Sequence, residues 1–305
     1  MERGVVLGLD FGGTKIAAAV ADLDGTRLGE TTIATDPARG AHWNVRHGVE
    51  AARELVAGRP IRALCACTFG IPAADGILLA PAIDGWEDLA LGDELAEAFP
   101  GVSVRLATDV KAAAEAETRF GALAGYDPAV YVNLGTGLAV GIVCGGNVIT
   151  GANGAAGEIG YNLRAQSRRG RLEDVVSGVA LARATDGALT AEDVFAGALT
   201  DVRLARLVAQ FVDELSFALV NLAVALDPAR IAVGGGMTRS WDRLEGPLRR
   251  SLAENVPFPP ELVLGAFPFE AALVGALALA VEAAHDSEDR DQLETIGSDR
   301  GRSRA

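Results

Sequence analysis

The sequence predicts an α/β fold built from two similar domains. Along the first hundred residues, short apolar stretches typical of β-strands alternate with stretches of helical periodicity. The stretch AVYVNLGTG, which starts at 129, can be laid on the opening VVLGLDFGGTK so that Asn133 falls on Asp10 and Gly135 on Gly12. With 305 residues the chain is also long enough for two domains, because one hydrophobic core rarely grows beyond about 250–300 residues.

The predicted elements follow in order along the chain. A hairpin-like pair of strands, 5–11 and 16–23, is followed by a turn at Asp24-Gly25 that leads into the next strand. The other elements expected in the first half are strands at 26–35, 63–71 and 102–107, helices at 41–57 and 91–99, and a helix that begins at Asp109. The second half adds the strand pair from 129, a helix near 202–226, a strand and glycine turn at 230–238, and a helix at 271–284.

The composition indicates a soluble protein and argues against some partners. Half of the residues are apolar, and the formal net charge of −14 argues against nucleic acid or an anionic membrane as the main partner. The apolar runs near 215–227 and 271–284 are too short to span a bilayer, and the N-terminus shows no signal peptide. Cys65 and Cys67 share one face of a strand, so we expect buried, reduced thiols, as in a cytoplasmic protein.

Three glycine-rich turns each follow a predicted strand: FGGTK at 11–15, LGTG at 134–137 and VGGGM at 233–237. None matches the dinucleotide fingerprint or the P-loop. Each turn alone is as typical of an ordinary hairpin as of a phosphate loop. Three turns on a duplicated framework favour phosphate binding, because glycine lets backbone amides close on phosphate oxygens. Asp10 also needs an explanation, since a buried strand has no use for an unpaired carboxylate.

Four motifs together resemble those of the ROK family, bacterial sugar kinases and related repressors within the actin/hexokinase/Hsp70 superfamily. They are DFGGTK from Asp10, the turn LGTG, the block GANGAAGEIGY at 151–161 and the turn GGGM. The resemblance covers 5–284, and GANGAAGEIG is its most specific part. It implies the two-lobed fold of the actin-like ATPases, with duplicated ribonuclease H-like domains and a cleft between them.

The resemblance also implies domain boundaries. The N-terminal α/β lobe is expected over 1–117, completed by the helix at 271–284, and the larger C-terminal α/β lobe over 118–270. The last stretch, 286–305, is charged and nearly devoid of apolar residues, so we predict a disordered tail.

An ATP site formed by the three turns is implied as well. Its residues are Gly12, Gly13, Thr14 and Lys15 in the first turn, Gly135, Thr136 and Gly137 in the second, and Gly234, Gly235 and Gly236 in the third. The two threonines add hydroxyl donors, whereas Lys15 either adds positive charge or is an ordinary solvent-exposed lysine. In the family the aspartate before the glycines helps to position the Mg²⁺ of the nucleotide, usually through water, which accounts for Asp10.

Asp109 matches the catalytic aspartate of the family, at a strand-to-helix junction. A carboxylate there can accept the proton of a sugar hydroxyl as that hydroxyl attacks the γ-phosphorus. The alternative is that Thr108 or Asp109 only caps the helix. Glu158 and Glu173 match the two sugar-binding glutamates of the family. A carboxylate suits that role, because it can accept hydrogen bonds from sugar hydroxyls. For Glu173 a solvated helix face is the alternative.

The sequence departs from the family where many members bind zinc. The histidine that usually contacts both sugar and zinc is Tyr161, the loop NLRAQSRRGR has no cysteine, and Arg171 stands where the last zinc cysteine would be. We therefore predict no structural zinc, with Tyr161 kept as a sugar-binding candidate. The loop needs another support, for which Arg168, Arg169 and Arg171 with nearby acids are candidates.

Two sugar contacts differ from the family as well. Thr108 stands where an asparagine usually precedes the catalytic aspartate, and Ala82 stands where the family has another asparagine. Losing an amide that holds a hydroxyl changes which pattern of hydroxyls is accepted. Thr108 therefore belongs among the residues expected to contact the substrate.

The leading prediction is an ATP-dependent sugar kinase that phosphorylates a primary hydroxyl of a hexose, as a glucokinase does. The expected ligands are a small sugar and ATP with Mg²⁺, and the expected setting is the cytoplasm, without nucleic acid or membrane, in a homodimer or larger homo-oligomer. Two alternatives remain open: a kinase for a different sugar or a sugar-like cyclitol, and a non-catalytic sugar-sensing ROK protein. A repressor fits less well, because the first phosphate motif comes by residue 10, with no helix-turn-helix before it.

Overall fold

The computed structural model describes the backbone of residues 4–165 and 170–302, and the side chains of these residues up to 287. The chain divides into two compact units. Unit 1 comprises Met1–Ala112 and Ala272–Ala305, and unit 2 comprises Ala113–Ala271. The sequence predicted a helix that ends near 284 and a disordered tail over 286–305, but the described backbone continues as helix from Ala271 to Arg302, and 303–305 lie outside the described residues.

Twelve strands and eight α-helices make up the described part of the chain. The strands are β1 (Val5–Phe11), β2 (Lys15–Asp22), β3 (Arg27–Ala34), β4 (Ile61–Thr68), β5 (Ile71–Ala73), β6 (Gly76–Leu78), β7 (Ser103–Thr108), β8 (Ala129–Leu134), β9 (Leu138–Cys144), β10 (Asn147–Val148), β11 (Arg230–Gly234) and β12 (Glu261–Leu264). The helices are α1 (Ala41–Val56), α2 (Leu91–Ala98), α3 (Asp109–Phe120), α4 (Gly178–Arg183), α5 (Ala191–Gly197), α6 (Val202–Leu226), α7 (Trp241–Asn255) and α8 (Ala271–Arg302).

Unit 1 contains a five-stranded sheet of order β3-β2-β1-β4-β7. β1 pairs antiparallel with β2 and parallel with β4, which is parallel to β7. Alternating residues of β1 pack into two different cores. Leu7 and Leu9 belong to the core that includes α1, and Val6 belongs to the core that includes α8. Gly8 lies on the α8 face, where a Cβ atom would come within 3.0 Å of Leu277 Cγ, so this glycine lets α8 approach the sheet.

The two cysteines of β4 lie on the α8 face of the same sheet. Cys65 and Cys67 are both buried and unbridged, as the sequence predicted. A hydrogen bond with Cys65, together with burial, holds the pKa of the Cys67 thiol well above its usual range. Cys67 is therefore a neutral thiol, and in the strand register it lies opposite Asp10.

Unit 2 repeats the arrangement of unit 1 with a sheet of order β10-β9-β8-β11-β12. Its antiparallel pair β8–β9 corresponds to β1–β2, and the parallel strand β11 lies beside β8 as β4 lies beside β1. One apolar core joins this sheet to the helices α4 to α7. The duplication predicted from the sequence pattern is thus present in the strand pairing.

Helix α6 runs through the core of unit 2. Phe211, Leu215 and Leu219 on it are buried, and so is the carboxylate of Glu214. With 25 residues and a mean hydropathy of 1.6 in its most apolar window, α6 is long and apolar enough to cross a membrane by length and composition alone. Core helices of soluble proteins meet the same criterion, and one face of α6 packs in the apolar core of unit 2.

Candidate active site

Asp10 and Asp109 lie at the carboxyl ends of strands in unit 1. Asp10 is the last but one residue of β1, and Asp109 follows β7 as the first residue of α3. Burial is the main cause that raises the pKa of Asp10 to about 7, and the negative charge of Asp109 adds to it. Burial also raises the pKa of Asp109 to about 6. The structure therefore brings together the predicted metal-positioning carboxylate and the predicted base.

The first glycine turn joins β1 to β2 next to Asp10. The Gly12 N–H donates to the carbonyl oxygen of Lys15 at 2.9 Å, and the hydroxyl of Thr35 donates to the Gly12 carbonyl at 2.7 Å. Thr14 and Lys15 are exposed at the tip, and a Cβ atom on Gly13 would meet no atom within 4 Å. The positive charge of Lys15 lowers the pKa of Asp10 against the effect of burial. The turn is thus fixed at its base and open at its tip.

Thr108, rather than Asp109, takes the capping role at the start of α3. The buried Thr108 Oγ1 accepts the backbone N–H of Lys111 at 3.3 Å. Asp109 Oδ1 accepts the N–H of Val110 at 2.7 Å, a hydrogen bond that lowers the pKa of Asp109. This hydrogen bond fixes the orientation of the Asp109 carboxylate at the start of α3.

Lys111 is a candidate that the sequence analysis missed. Its side chain is buried, with 7% of the residue exposed, and its Nζ lies 3.5 Å from Thr108 Oγ1. Its positive charge lowers the pKa of Asp109. The available signal was a single lysine in the alanine-rich start of α3, but only the fold shows that it is buried beside the carboxylate.

The second glycine turn, 135–137, is held from two sides within unit 2. The N–H groups of Gly178 and Val179, at the start of α4, donate to the carbonyl oxygens of Gly135 at 2.9 Å and Thr136 at 3.4 Å. On the other side, Glu173 Oε2 accepts the N–H of Leu138 at 2.8 Å. The turn therefore has a fixed backbone conformation.

Glu173 links the second turn to the predicted sugar-binding block. A Cβ atom on Gly137 would lie 2.6 Å from Glu173 Oε2, and one on Gly160 would lie 3.1 Å from the same oxygen. Glycine at both positions lets this carboxylate lie against the turn and the block at once. Although the residue is exposed, one of its oxygens is anchored, so its position is not that of a free helix-surface glutamate.

The block 151–161 packs on β9 and carries Glu158. The N–H of Val140 donates to the carbonyl oxygen of Gly157 at 2.8 Å. Gly157 has a φ of +90°, and a Cβ atom there would lie 1.9 Å from the Val140 carbonyl oxygen, so only glycine fits. Glu158 is half-buried immediately before the 3₁₀ turn Ile159–Tyr161. Both sugar-binding candidates, Glu158 and Glu173, thus lie around one region of unit 2.

Tyr161 and Arg171, which the family resemblance places at zinc-ligand positions, contact each other. The guanidinium carbon of Arg171 lies 4.1 Å from the centre of the Tyr161 ring, within the range of a cation–π interaction. Next to them, the N–H of Leu172 donates to the carbonyl oxygen of Asn162 at 2.7 Å. These contacts hold the two ends of the loop, near Asn162 and Arg171, against each other.

The described part of the same loop is also held by a buried carboxylate of α6. Glu214 is fully buried, and its Oε1 lies 3.2 Å from Arg164 Nε, while its Oε2 accepts the N–H of Ala165 at 2.7 Å. Of the predicted arginine cluster, Arg168 and Arg169 lie outside the described residues. The support found in the described part includes one member of that cluster, Arg171 on the ring of Tyr161, and adds Arg164 on Glu214, which the sequence did not predict.

The third glycine turn ends β11 at the same sheet edge as the second. Gly235 has a φ of +93°, and its N–H donates to the carbonyl oxygen of Pro268 at 2.7 Å. Gly234 is buried, and a Cβ atom on it would lie 2.3 Å from the hydroxyl of Tyr131, so close packing is reason enough for this glycine. Gly236 is exposed, with no atom within 4 Å of its Cβ position. The open part of the turn is therefore at its far end.

No cluster of metal ligands is found in the part of the chain described with side chains. Among those residues, no three His, Cys, Asp or Glu side chains are grouped to hold an ion. A metal at the Asp10 end of β1 would have few protein ligands and would complete its coordination with water and substrate oxygens, which suits Mg²⁺.

The chain is similar to known proteins over most of its length. A model of the ROK family matches residues 6–283. A glucokinase from Halalkalibacterium halodurans is 30% identical over 277 residues, which make up 80% of this chain and 84% of the relative. An N-acetylmannosamine kinase from Citrobacter koseri is 30% identical over 303 residues, covering 90% of this chain and 98% of the relative.

A solved structure has the same fold. It is a ROK family glucokinase from Streptomyces griseus in complex with glucose and AMPPNP, 30% identical, with a TM-score of 0.77 over 92% of this chain and all of the other. The predicted actin-like α/β fold is thereby confirmed.

Proposed function

Because the chain belongs to the ROK family, we propose that it is an ATP-dependent sugar kinase that transfers the γ-phosphate of ATP to a primary hydroxyl group of a hexose. The observation that carries this proposal is the placement of Asp109 beside Asp10 at the carboxyl ends of the unit 1 strands, next to a fixed glycine turn. A carboxylate base, a metal-positioning carboxylate and backbone donors are what phosphoryl transfer to an alcohol requires.

Asp109 is proposed as the general base. With a pKa of about 6 it is largely ionised at pH 7, yet it is a stronger base than an ordinary aspartate. One of its oxygens is held by the N–H of Val110, which fixes the carboxylate and leaves the other oxygen to accept the proton of the sugar hydroxyl. Lys111 favours the ionised form of this base.

The glycine turns are proposed to bind the nucleotide. In unit 1 the open turn 12–15 offers backbone N–H groups, the Thr14 hydroxyl and the Lys15 ammonium group. In unit 2 the turns 135–137 and 234–236 offer further backbone donors. Mg²⁺, when bound with the nucleotide, would neutralise charge on the phosphate oxygens, and Asp10 is the residue proposed to hold it through water.

The sugar is proposed to be held by carboxylates of unit 2, Glu158 and Glu173, with Tyr161 nearby and with Thr108 from unit 1. In Glu173 one oxygen is anchored on Leu138, which leaves the other free to accept hydrogen bonds from hydroxyl groups. The two curated relatives are named for different hexoses, so the sugar is to be settled by experiment, with cyclitols among the candidates. Action in the cytoplasm as a homodimer or larger homo-oligomer is part of the same proposal.

The test is ADP release from Mg·ATP with a panel of acceptors: glucose, mannose, allose, fructose, glucosamine, N-acetylmannosamine and C7-cyclitols. We expect one strong responder with the native protein. Asp109→Asn should reduce kcat by at least about 10²-fold, because general-base catalysis contributes about 10²–10⁴-fold, and should leave ATP binding nearly unchanged.

The matched control is Asp75→Asn, which makes the same change at an exposed position of unit 1 and should keep native turnover. Near-native turnover of Asp109→Asn would remove Asp109 from the role of base. Sugar binding without turnover by the native protein, across the whole panel, would favour a non-catalytic sensor instead.

A further inference from the structure

The side chain of Asn133 lies between the second and third glycine turns of unit 2. An ideal Cβ atom on Gly235 would lie 2.6 Å from Asn133 Oδ1, and one on Gly135 would lie 3.7 Å from both Oδ1 and Nδ2 of the same amide. The strand register explains this position, because Asn133 on β8 is paired with Gly234 on β11. A polar amide therefore sits at the sheet edge where both turns begin.

Asn133 occupies in unit 2 the position that Asp10 occupies in unit 1. Each is the last but one residue of its strand and is followed by an apolar residue and then a glycine turn. Each faces an alanine on the next antiparallel strand, Asp10 opposite Ala17 and Asn133 opposite Ala139. The duplicated framework thus places a carboxylate at one turn and a neutral amide at the other.

The amide of Asn133 has no partner of its own in the described part of the chain. Among residues 4–165 and 170–287, neither its oxygen nor its nitrogen makes a hydrogen bond. Asn133 is nevertheless partly buried. A partly buried amide usually makes hydrogen bonds, so an unpartnered one beside the two turns proposed to bind the nucleotide is placed to bind a ligand.

Resting on the proposed kinase function, we propose that Asn133 is a further nucleotide-binding residue, whose amide nitrogen donates a hydrogen bond to an oxygen of the terminal phosphates of ATP. An amide suits this role better than a carboxylate, because it has two N–H donors and no negative charge to repel a phosphate. Its oxygen remains able to accept a hydrogen bond from water near the phosphates.

The test is calorimetric titration of Asn133→Asp and Asn133→Ala with Mg·ATP and with AMP, which lacks the two terminal phosphates. Asn133→Asp keeps the shape and adds a negative charge, so ATP binding should weaken at least tenfold. Asn133→Ala removes the donor and should weaken ATP binding about threefold to tenfold, the size of one hydrogen bond. AMP binding should change less than twofold in both variants.

Asn221→Asp is the matched control, since it makes the same chemical change on the exposed side of α6, and it should bind ATP like the native protein. Thermal unfolding of each variant checks the fold, and Asn133→Ala decides the question if Asn133→Asp does not fold. ATP binding at the native level in the folded variants would overturn this inference and would leave the proposed function unaffected. Equal weakening of ATP and AMP would also overturn it, by showing a structural role. A native protein that binds no ATP would overturn the proposed function and this inference with it.

Discussion

At the scale of single residues, the charge of Lys111 is expected to set the pH range of activity. Asp109 acts as a base when ionised, so kcat/KM should fall as the pH drops through about 6. Lys111 lowers the pKa of Asp109, and its removal should raise that pKa. In Lys111→Met the acid limb of the pH profile, which is the range where kcat/KM falls as the pH drops, should therefore move to higher pH.

Lys111→Arg is the control for this prediction, because it keeps the positive charge and should keep the limb near its native position. The measurement is kcat/KM between pH 5 and 9 for the native protein and both variants. An unchanged limb in Lys111→Met would show that the lysine does not act on the base.

The raised pKa values of the two carboxylates also make a stability prediction. The folded state holds a proton on Asp10 up to about pH 7, whereas the unfolded chain releases it near 3.8. Between these values the folded state binds more protons, so stability is present at low pH and is lost as the pH rises toward 7. Asp10→Asn removes the buried carboxyl group whose ionisation destabilises the folded state. The Tm of this variant should therefore exceed that of the native protein at pH 7.5 but not at pH 4. Equal Tm differences at both pH values would contradict the assignment.

How far the sequence could predict single residues depended on local pattern. Asp10 and the glycines stand in glycine-turn motifs, and Asp109 stands at a strand-to-helix junction that matches the family, so these candidates could be proposed from the sequence. Lys111 and Glu214 lie in ordinary helical sequence, and their importance arises from burial against other elements. A single glutamate on an apolar helix gives no sign of the loop that it holds.

At the scale of elements, the loop over 162–171 is expected to depend on Glu214. Glu214→Leu removes the buried carboxylate that pairs with Arg164 and accepts the Ala165 N–H. The Arg164 side chain and this N–H are both partly withdrawn from water. Breaking a buried ion pair by removing one partner costs about 3–5 kcal/mol. Glu214→Leu should lower the free energy of unfolding by this order, and Glu214→Gln by less, because the amide oxygen still accepts the N–H.

A substrate effect should accompany the loss of stability. The loop connects Tyr161 to the segment of Glu173, so a loosened loop should raise the KM for the sugar more than the KM for ATP. Denaturant unfolding and steady-state kinetics measure the two effects. Glu245→Gln is the control, since its exposed pair with Arg249 on α7 contributes only about 0–1 kcal/mol. A Glu214→Leu variant as stable as this control would contradict the proposed support.

At the scale of the whole molecule, the alternation of strands and helices and the repeated strand-turn-strand pattern could predict the fold class. Both features are local or repeat-based, and the strand pairing in the two sheets follows them. The small pair β5–β6 was missed, because three-residue strands leave little periodic signal. The support of the loop by Glu214 was missed too, since it depends on contacts between residues about 50 positions apart in sequence.

The position of the helix α8 determines when unit 1 can be completed during synthesis. Unit 2 is one continuous stretch, whereas unit 1 is interrupted by it and draws part of its core from Leu273, Leu277 and Ala280. A ribosome has therefore made every residue of unit 2 before it makes the helix that completes unit 1. The α8 face of the unit 1 sheet, including Val6 and Cys65, therefore stays uncovered until α8 has been made. During that interval the nascent chain exposes an apolar surface that chaperones can bind.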